Sequence, residues 1–372
     1  MNQGSIRAKR WLKAGLTAAL VWGLCGCSAG SPADSAQVSI AEESSAAPLI
    51  EITSDEEKET KAPAEQTGSR SFLTGLPIEE DKAGRRPLAL MISNDRAALP
   101  QYGIETAQVV YEAPVEGGMN RFMAIFEDYD EFEQMGPVGS CRTYYVYLAK
   151  EYDAVYAHFG QSTFAKPYLN EIDNINGIEG TGSQAYYRTR DRKSPHNAFT
   201  GGARLNQAIN ALGYRTERDS SADGHFLFAD EAEPETLENR PAVIAAEAVR
   251  PGYPLNQPEF RYSSEDGLYH RSQYGKTHMG STGPVEVKNL IIQYCAVGHY
   301  ATTEYLDINV NASDWGYFVT EGHAIPVTWE KKNGITRYYD QDHEEIRLNP
   351  GRTWICIVPS KDYQKTEFEP GA

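Results

Sequence analysis

Apolar residues are spaced along this chain in three ways: a compact run near the amino terminus, a long stretch with almost none, and then short runs that recur to the end. In the third part, Pro87-Leu88-Ala89-Leu90-Met91-Ile92 is bounded by polar residues and lacks helical spacing, which predicts a buried strand. Ala107 to Ala113, Asn120 to Glu127 and Asp153 to His158 predict three more. Between them, Thr143 to Tyr152 carries apolar residues at i, i+3, i+4 and i+7, the spacing of a helix packed on a sheet. Ser162 to Ile172, with Ser162 as N-cap, and Ala203 to Leu212 also read as helices. Strands mixed with helices predict a mixed α/β domain over residues 72–220.

Farther along, the pattern turns toward β. Glu286 to Val297, Glu304 to Val310, Gly316 to Thr320, Ala324 to Glu330, Ile335 to Asp340 and Arg352 to Val358 cluster or alternate β-branched and aromatic residues. Turn signals such as Lys332-Asn333-Gly334 and Asn349-Pro350-Gly351 separate them. A linker over 221–240 and a mostly antiparallel β domain over 241–365 are expected, so the fold class is α+β.

The amino-terminal run has the parts of an export signal. Arg7, Lys9, Arg10 and Lys13 precede an apolar segment, Ala14 to Leu24, of about 11 residues. That is too short to span a hydrocarbon core, which needs roughly 20. Leu24-Cys25-Gly26-Cys27 is similar to the lipobox of bacterial lipoproteins, which implies cleavage after residue 26 and acylation, palmitate included, of Cys27. The expected location is the outer face of the cytoplasmic membrane, held by acyl chains that contribute about 0.8 kcal/mol per buried CH₂. Residues 27–71 are rich in Ser, Ala, Pro, Glu and Thr and poor in aromatics, the composition of a disordered acidic tether.

The formal charge is −17, and the leader holds four basic residues and no acid, so the processed chain is more negative still. That balance opposes general binding to nucleic acid. Cys141, Cys295 and Cys356 are an odd number without close spacing, so no disulfide framework is predicted, although Cys295 and Cys356 fall in strand-like segments and could pair. No metal-ligand spacing, P-loop or dinucleotide fingerprint occurs, and no metal or cofactor is expected.

Several segments together resemble the YerB-type lipoprotein family, whose domain is in two parts. They are Arg86 to Ile92, Tyr111 to Gly118, Arg121 to Phe126, Gly136-Pro137-Val138, Ser194-Pro195-His196-Asn197, Asn289 to Tyr294, Trp329 to Lys332, Thr336 to Asp340 and Leu348 to Trp354. The resemblance covers nearly everything after the tether and brings no biochemical activity with it. One departure is visible: a run usually like GPVRSAR reads Gly136-Pro137-Val138-Gly139-Ser140-Cys141-Arg142 here.

The candidate chemistry lies in the first domain. Glu112 and Glu116 flank an Ala-Pro-Val step before Gly117-Gly118, and Arg121 begins the next strand. Arg142 sits at a predicted helix start, where backbone N–H groups favour an anion, and His158 ends a strand. Arg188, Asp191, Arg192, His196 and Asn197 follow within ten residues of one another, a basic cluster in an acidic chain. Arg forks match phosphate and carboxylate in pairs, so these residues are candidate ligands for an anionic group, though pairing with the acids would explain them without one. Three function classes stay open: a binder of an anionic envelope polymer or precursor, an envelope hydrolase or transferase with Glu116 or His158 as general acid or base, and a protein-interaction scaffold. Cys141 beside Arg142 is a candidate nucleophile. His270, His278, His299, His323 and His343 are expected in packing or solvated roles.

Overall fold

The computed structural model describes residues 68–371. The leader, Cys27 and the tether up to residue 67 lie outside the described residues. The described residues belong to one compact unit. No helix among them is long and apolar enough to cross a membrane.

The elements that build the frame are β1 (Leu88–Ser93), β2 (Val109–Pro114), β3 (Asn120–Phe126), α1 (Thr143–Lys150), β4 (Val155–His158), β5 (Asn174–Asn176) and α2 (Gly202–Leu212). Those from the later segment are β6 (Glu259–Ser263), β7 (Leu268–Gln273), β8 (Asn289–Cys295), β9 (Ser313–Thr320), β10 (His323–Lys332), β11 (Ile335–Tyr339) and β12 (Thr353–Pro359). An eleven-stranded sheet runs in the order β11-β10-β9-β8-β12-β2-β3-β1-β4-β5, with Ile244–Ala245 paired to β10. Strands from both halves of the chain therefore share one sheet. β12 is parallel to β8 on one side and to β2 on the other. Its sequence, TWICIVP, is buried through Val358, and an apolar run on both faces needs cover on both sides.

Alternation along each strand decides which core a residue enters. Leu88, Leu90, Ile92, Phe122 and Trp354 face one core, which α2 covers with Leu205, Ala208 and Ile209 and the smaller sheet of β6 and β7 covers with Phe260 and Tyr269. Ala89, Met91, Tyr111 and Ile355 face the other, under α1. Each such apolar side chain contributes about 1.5–3 kcal/mol on full burial.

Some expectations need correction. In place of the helix expected over Ser162 to Ile172 there is only a short 3-10 helix, Lys166–Glu171. Ser162 is not its N-cap, which is Ala165; Ser162 Oγ instead accepts from Ala165 N at 3.1 Å in the turn before it. A helix begun there would place Pro167 in its interior, without an N–H and against the carbonyl one turn back. The stretch 221–240 is not a bare linker: Phe226 and Leu237 are buried, and Leu227–Phe228 pairs with Arg347–Leu348. Ser71, assigned to the tether by composition, is buried, donates to Glu127 and accepts from Thr74 N at 3.0 Å. The second half is mostly antiparallel, with β12 a parallel exception beside β8 and beside β2 of the first half.

Cys295 and Cys356 are both free. Cys356 is opposite Ile292 in the β8–β12 register, three residues from Cys295, or roughly 10 Å along the strand. The odd offset also turns the two thiols to opposite faces, one into each core.

Candidate functional site

β1, β2 and β4 run in the same direction, so Ser93, Pro114 and His158 end at one rim of the sheet. The antiparallel β3 starts there, with Arg121 opposite Ser93 and Ala113. Beyond β2 the chain turns through Gly117 at φ 70° and Gly118 at φ 74°, left-handed conformations that favour glycine. This turn presents Glu116 to Arg142 at the start of α1. Arg142 Nε donates to Glu116 Oε1 at 2.8 Å and Nη2 to Oε2 at 2.5 Å, a two-pronged pair. The Arg142 guanidinium also lies 5.2 Å from the Tyr305 ring centre. Burial alone would raise the Glu116 carboxyl, but hydrogen bonds and charge from Arg142 outweigh it and hold the group below its ordinary value.

Arg121 is half-buried beside this pair. Its Nη1 donates to the Ser140 carbonyl at 2.8 Å, and no carboxylate among the described residues lies within 4.0 Å of it. Burial, and after it the charge of Arg142, lower its pKa from the ordinary arginine value, while the guanidinium stays a cation. One carboxylate thus stands near two guanidinium groups and bonds only Arg142, which leaves the Glu116–Arg121–Arg142 trio with a net positive charge. The loop that usually carries another arginine has Gly139 here, and a Cβ at that position would meet Arg121 Cδ at 2.9 Å.

The other candidates are elsewhere. Glu112 is adjacent to Ala113 in β2 and so faces the opposite core from Arg121. It is fully buried and accepts from Asn120, Asn256, Arg271 and Trp354 at 2.7 to 3.0 Å. With four donors on it, Glu112 is a structural counterion and not a ligand group. His158 is fully buried; Nδ1 lies 2.9 Å from the Gly160 carbonyl and Nε2 3.2 Å from Asn174 Oδ1, and burial lowers its pKa. Arg188 is exposed, bonds Asn197 Oδ1 at 2.5 Å and lies 4.8 Å from the Phe159 ring centre. Arg192 donates to the carbonyls of Ala98 at 2.8 Å and Pro100 at 3.1 Å and pairs with Asp191, so it pins the 188–197 hairpin to the loop after β1. His196 reaches Asp95 at 3.6 Å, and Asn197 donates to Thr189 O at 3.1 Å. The structure brings Glu116, Arg121 and Arg142 together and leaves the hairpin residues as a separate group.

Cys141 is buried, and burial pushes its thiol up to about 12 despite Tyr156 and Arg142. A thiolate is therefore not available, and the nucleophile expectation fails. No cluster of His, Cys, Asp or Glu that could hold a metal occurs among the described residues.

Sequence reading missed the polar centre around Glu112. Arg271 Nη2 donates to Glu112 Oε2 at 2.8 Å, and Arg271 Nη1 meets His278 Nδ1 at 2.7 Å. Nδ1 must then accept, so His278 carries its proton on Nε2, which lies 2.9 Å from Gln101 Oε1. A signal existed: in β7, LYHRSQ, the buried positions are Tyr269, Arg271 and Gln273, an alternation that turns an arginine and an amide inward.

Residues 73–215 match the family model described as "Protein of unknown function (DUF3048) N-terminal domain", and residues 249–355 match its C-terminal domain. These stretches correspond to the two parts read from the pattern of elements. The chain is 31% identical over 316 residues to "Putative lipoprotein YerB" of Bacillus subtilis (strain 168), covering 83% of this chain and 89% of that one. The crystal structure of YerB protein from Bacillus subtilis superposes with a TM-score of 0.69 at 28% identity, over 81% of this chain and 99% of that chain.

Proposed function

We propose, from the premise that this chain belongs to the two-part DUF3048 family of YerB-type proteins, that it is a lipoprotein anchored through Cys27 outside the cytoplasmic membrane. We further propose that its body binds an anionic group of an envelope molecule at the Glu116–Arg121–Arg142 rim. The observation that carries the binding reading is Arg121. A half-buried cation with no carboxylate partner among the described residues, beside a second guanidinium, gains from any anion that reaches it. Binding is favoured over catalysis because the two acid–base candidates are occupied: Glu116 is clamped on Arg142, and His158 is buried. The anchor reading rests on the leader and box in the sequence and on the printed name of the Bacillus subtilis relative.

Differential melting of the protein with inorganic phosphate and glycerol 3-phosphate tests the site. Each should raise the Tm of the parent in a concentration-dependent way, as mass action requires, and not that of Arg121→Gln, while Arg121→Lys retains part of the effect. Parent protein that no phosphate stabilises, or an Arg121→Gln variant stabilised equally, would end the binding reading. For the anchor, labelled palmitate should enter the parent and not Cys27→Ala.

A further inference from the structure

Between the loop after β1 and the turn that follows β7 lies a second pocket, of about 290 Å³, whose lining shares no residue with the Arg121 rim. Its walls include Leu99, Pro100 and Met279, and no acid lines it. Arg96 and Lys276, both exposed, line it as well. No carboxylate among the described residues lies within 4.0 Å of either. Two further lining residues, Gln273 and His278, are 2% and 1% exposed.

The buried amide is the informative group. Gln273 Oε1 accepts from Asn256 Nδ2 at 3.3 Å, which orients the amide so that Nε2 is its donor end. That Nε2 has no partner among the described residues. A buried N–H left unpaired costs about 1–3 kcal/mol, so native proteins rarely leave one without a purpose. The neighbouring network is directed the same way. Arg271 donates to His278, His278 to Gln101 and Gln101 Nε2 to Asn94 Oδ1 at 3.0 Å, which leaves Asn94 Nδ2 as a second buried donor without a partner among the described residues. At the pocket itself the groups left unpaired among the described residues are donors, whereas the unpaired acceptor of the network, Asn120 Oδ1, belongs to a residue that does not line the pocket, and the lining cations add a preference for negative charge.

We propose that this pocket binds a small organic carboxylate with an apolar tail, the carboxylate facing Arg96 and Lys276 and drawing the Gln273 amide, whose Nε2 is shut off from solvent without a ligand, toward the pocket to donate, the tail lying against Leu99 and Met279. A phosphate fits less well, because apolar walls would strip water from oxygens that one amide cannot satisfy. The site is independent of the phosphate reading for the Arg121 rim.

Titration calorimetry of the full chain with sodium hexanoate, and with hexylammonium chloride as the cation of matching tail, tests it. Hexanoate should bind saturably to the parent and to Arg121→Gln alike. Gln273→Leu should weaken it at least tenfold, and so should the exposed changes Met279→Trp, which fills the mouth, and Arg96→Gln, which removes a cation without touching the core. Hexylammonium should not bind. No saturation by roughly 20 mM hexanoate, a range that includes weak millimolar affinities, would overturn the proposal. So would equal hexanoate affinity in Met279→Trp and Arg96→Gln, or hexylammonium binding as tight as hexanoate.

Discussion

Arg271 and Arg188 carry the same side chain into opposite surroundings. Arg271 stands on the inner face of β7, boxed by Phe122, Phe260 and Trp354 with ring centres 5.3, 5.4 and 4.6 Å from its guanidinium carbon. Its carboxylate partner Glu112 is equally inaccessible. Arg188 is exposed on a two-stranded hairpin whose other strand, Ala198–Phe199, is buried, and it bonds a neighbouring amide. A charge that has left water depends on its partner, whereas one that stays hydrated does not. Position on an alternating strand, more than local density of charge, separates the arginines that hold this fold from those that decorate it.

The largest effect should follow Arg271→Ala, which strands the Glu112 carboxylate in the core. About 3–5 kcal/mol of stability should be lost, measured by urea denaturation. A loss under about 1 kcal/mol would put Arg271 in the same class as Arg188.

Arg142 lies between the extremes, its side chain 10% and that of Glu116 21% exposed. Arg142→Ala should therefore cost about 2 kcal/mol, between the ranges for exposed and buried pairs. This reverses the reading of Arg142 as a free ligand arginine. Because the folded Glu116 carboxyl is held below its ordinary value, the pair's contribution is complete above that value and lost as pH falls through the folded one. The difference between parent and Arg142→Ala should shrink below about pH 4.

Next comes His225, buried against Tyr152 at 4.0 Å between ring centres, with neither ring nitrogen bonded among the described residues. Burial first, then Arg337 and Lys331, hold its pKa well below the ordinary value. The unfolded chain takes up this proton near pH 6.5 and the folded one does not, so stability falls as pH drops, by up to about 1.4 kcal/mol per unit for this group. His225→Phe should remove that share, and its advantage over the parent should grow from pH 7 to pH 5 in the same denaturation measurement. An advantage that stays constant with pH would show that His225 is protonated in the fold. The smallest effect belongs to Arg188→Ala, which should stay within about 0.5 kcal/mol of the parent by thermal melting; a larger loss would show that the Arg188 side chain helps to hold the fold.

Much of the frame was legible beforehand. β1, β3, α1, β4, α2 and the β-rich second half lie within a few residues of the runs that predict them, because their apolar spacing is regular and their ends carry turn signals. The candidate site was half legible. Glu116 and Arg142 pair, with Arg121 beside them but bonded to neither, and the Gly117-Gly118 turn and the start of α1 were visible marks. Glu112 was grouped with them because it is close in sequence, although one residue along a strand reverses its face. Arg192 looked like a ligand because charge count says nothing of the carbonyls of Ala98 and Pro100 that hold it.

Local pattern by itself determined most of the element types, the two-part order and the acidic balance of charge. Only the tertiary structure decided that β12 enters between β8 and β2, and so joins both parts in one sheet. It alone brought Glu112 to Arg271, Asn256 and Trp354, which are more than a hundred residues away along the chain. It also separated Cys295 from Cys356 by their register. The physical reason is that propensity and periodicity act over a few residues, whereas strand order and the partner of a buried charge are settled by which distant surfaces exclude water together.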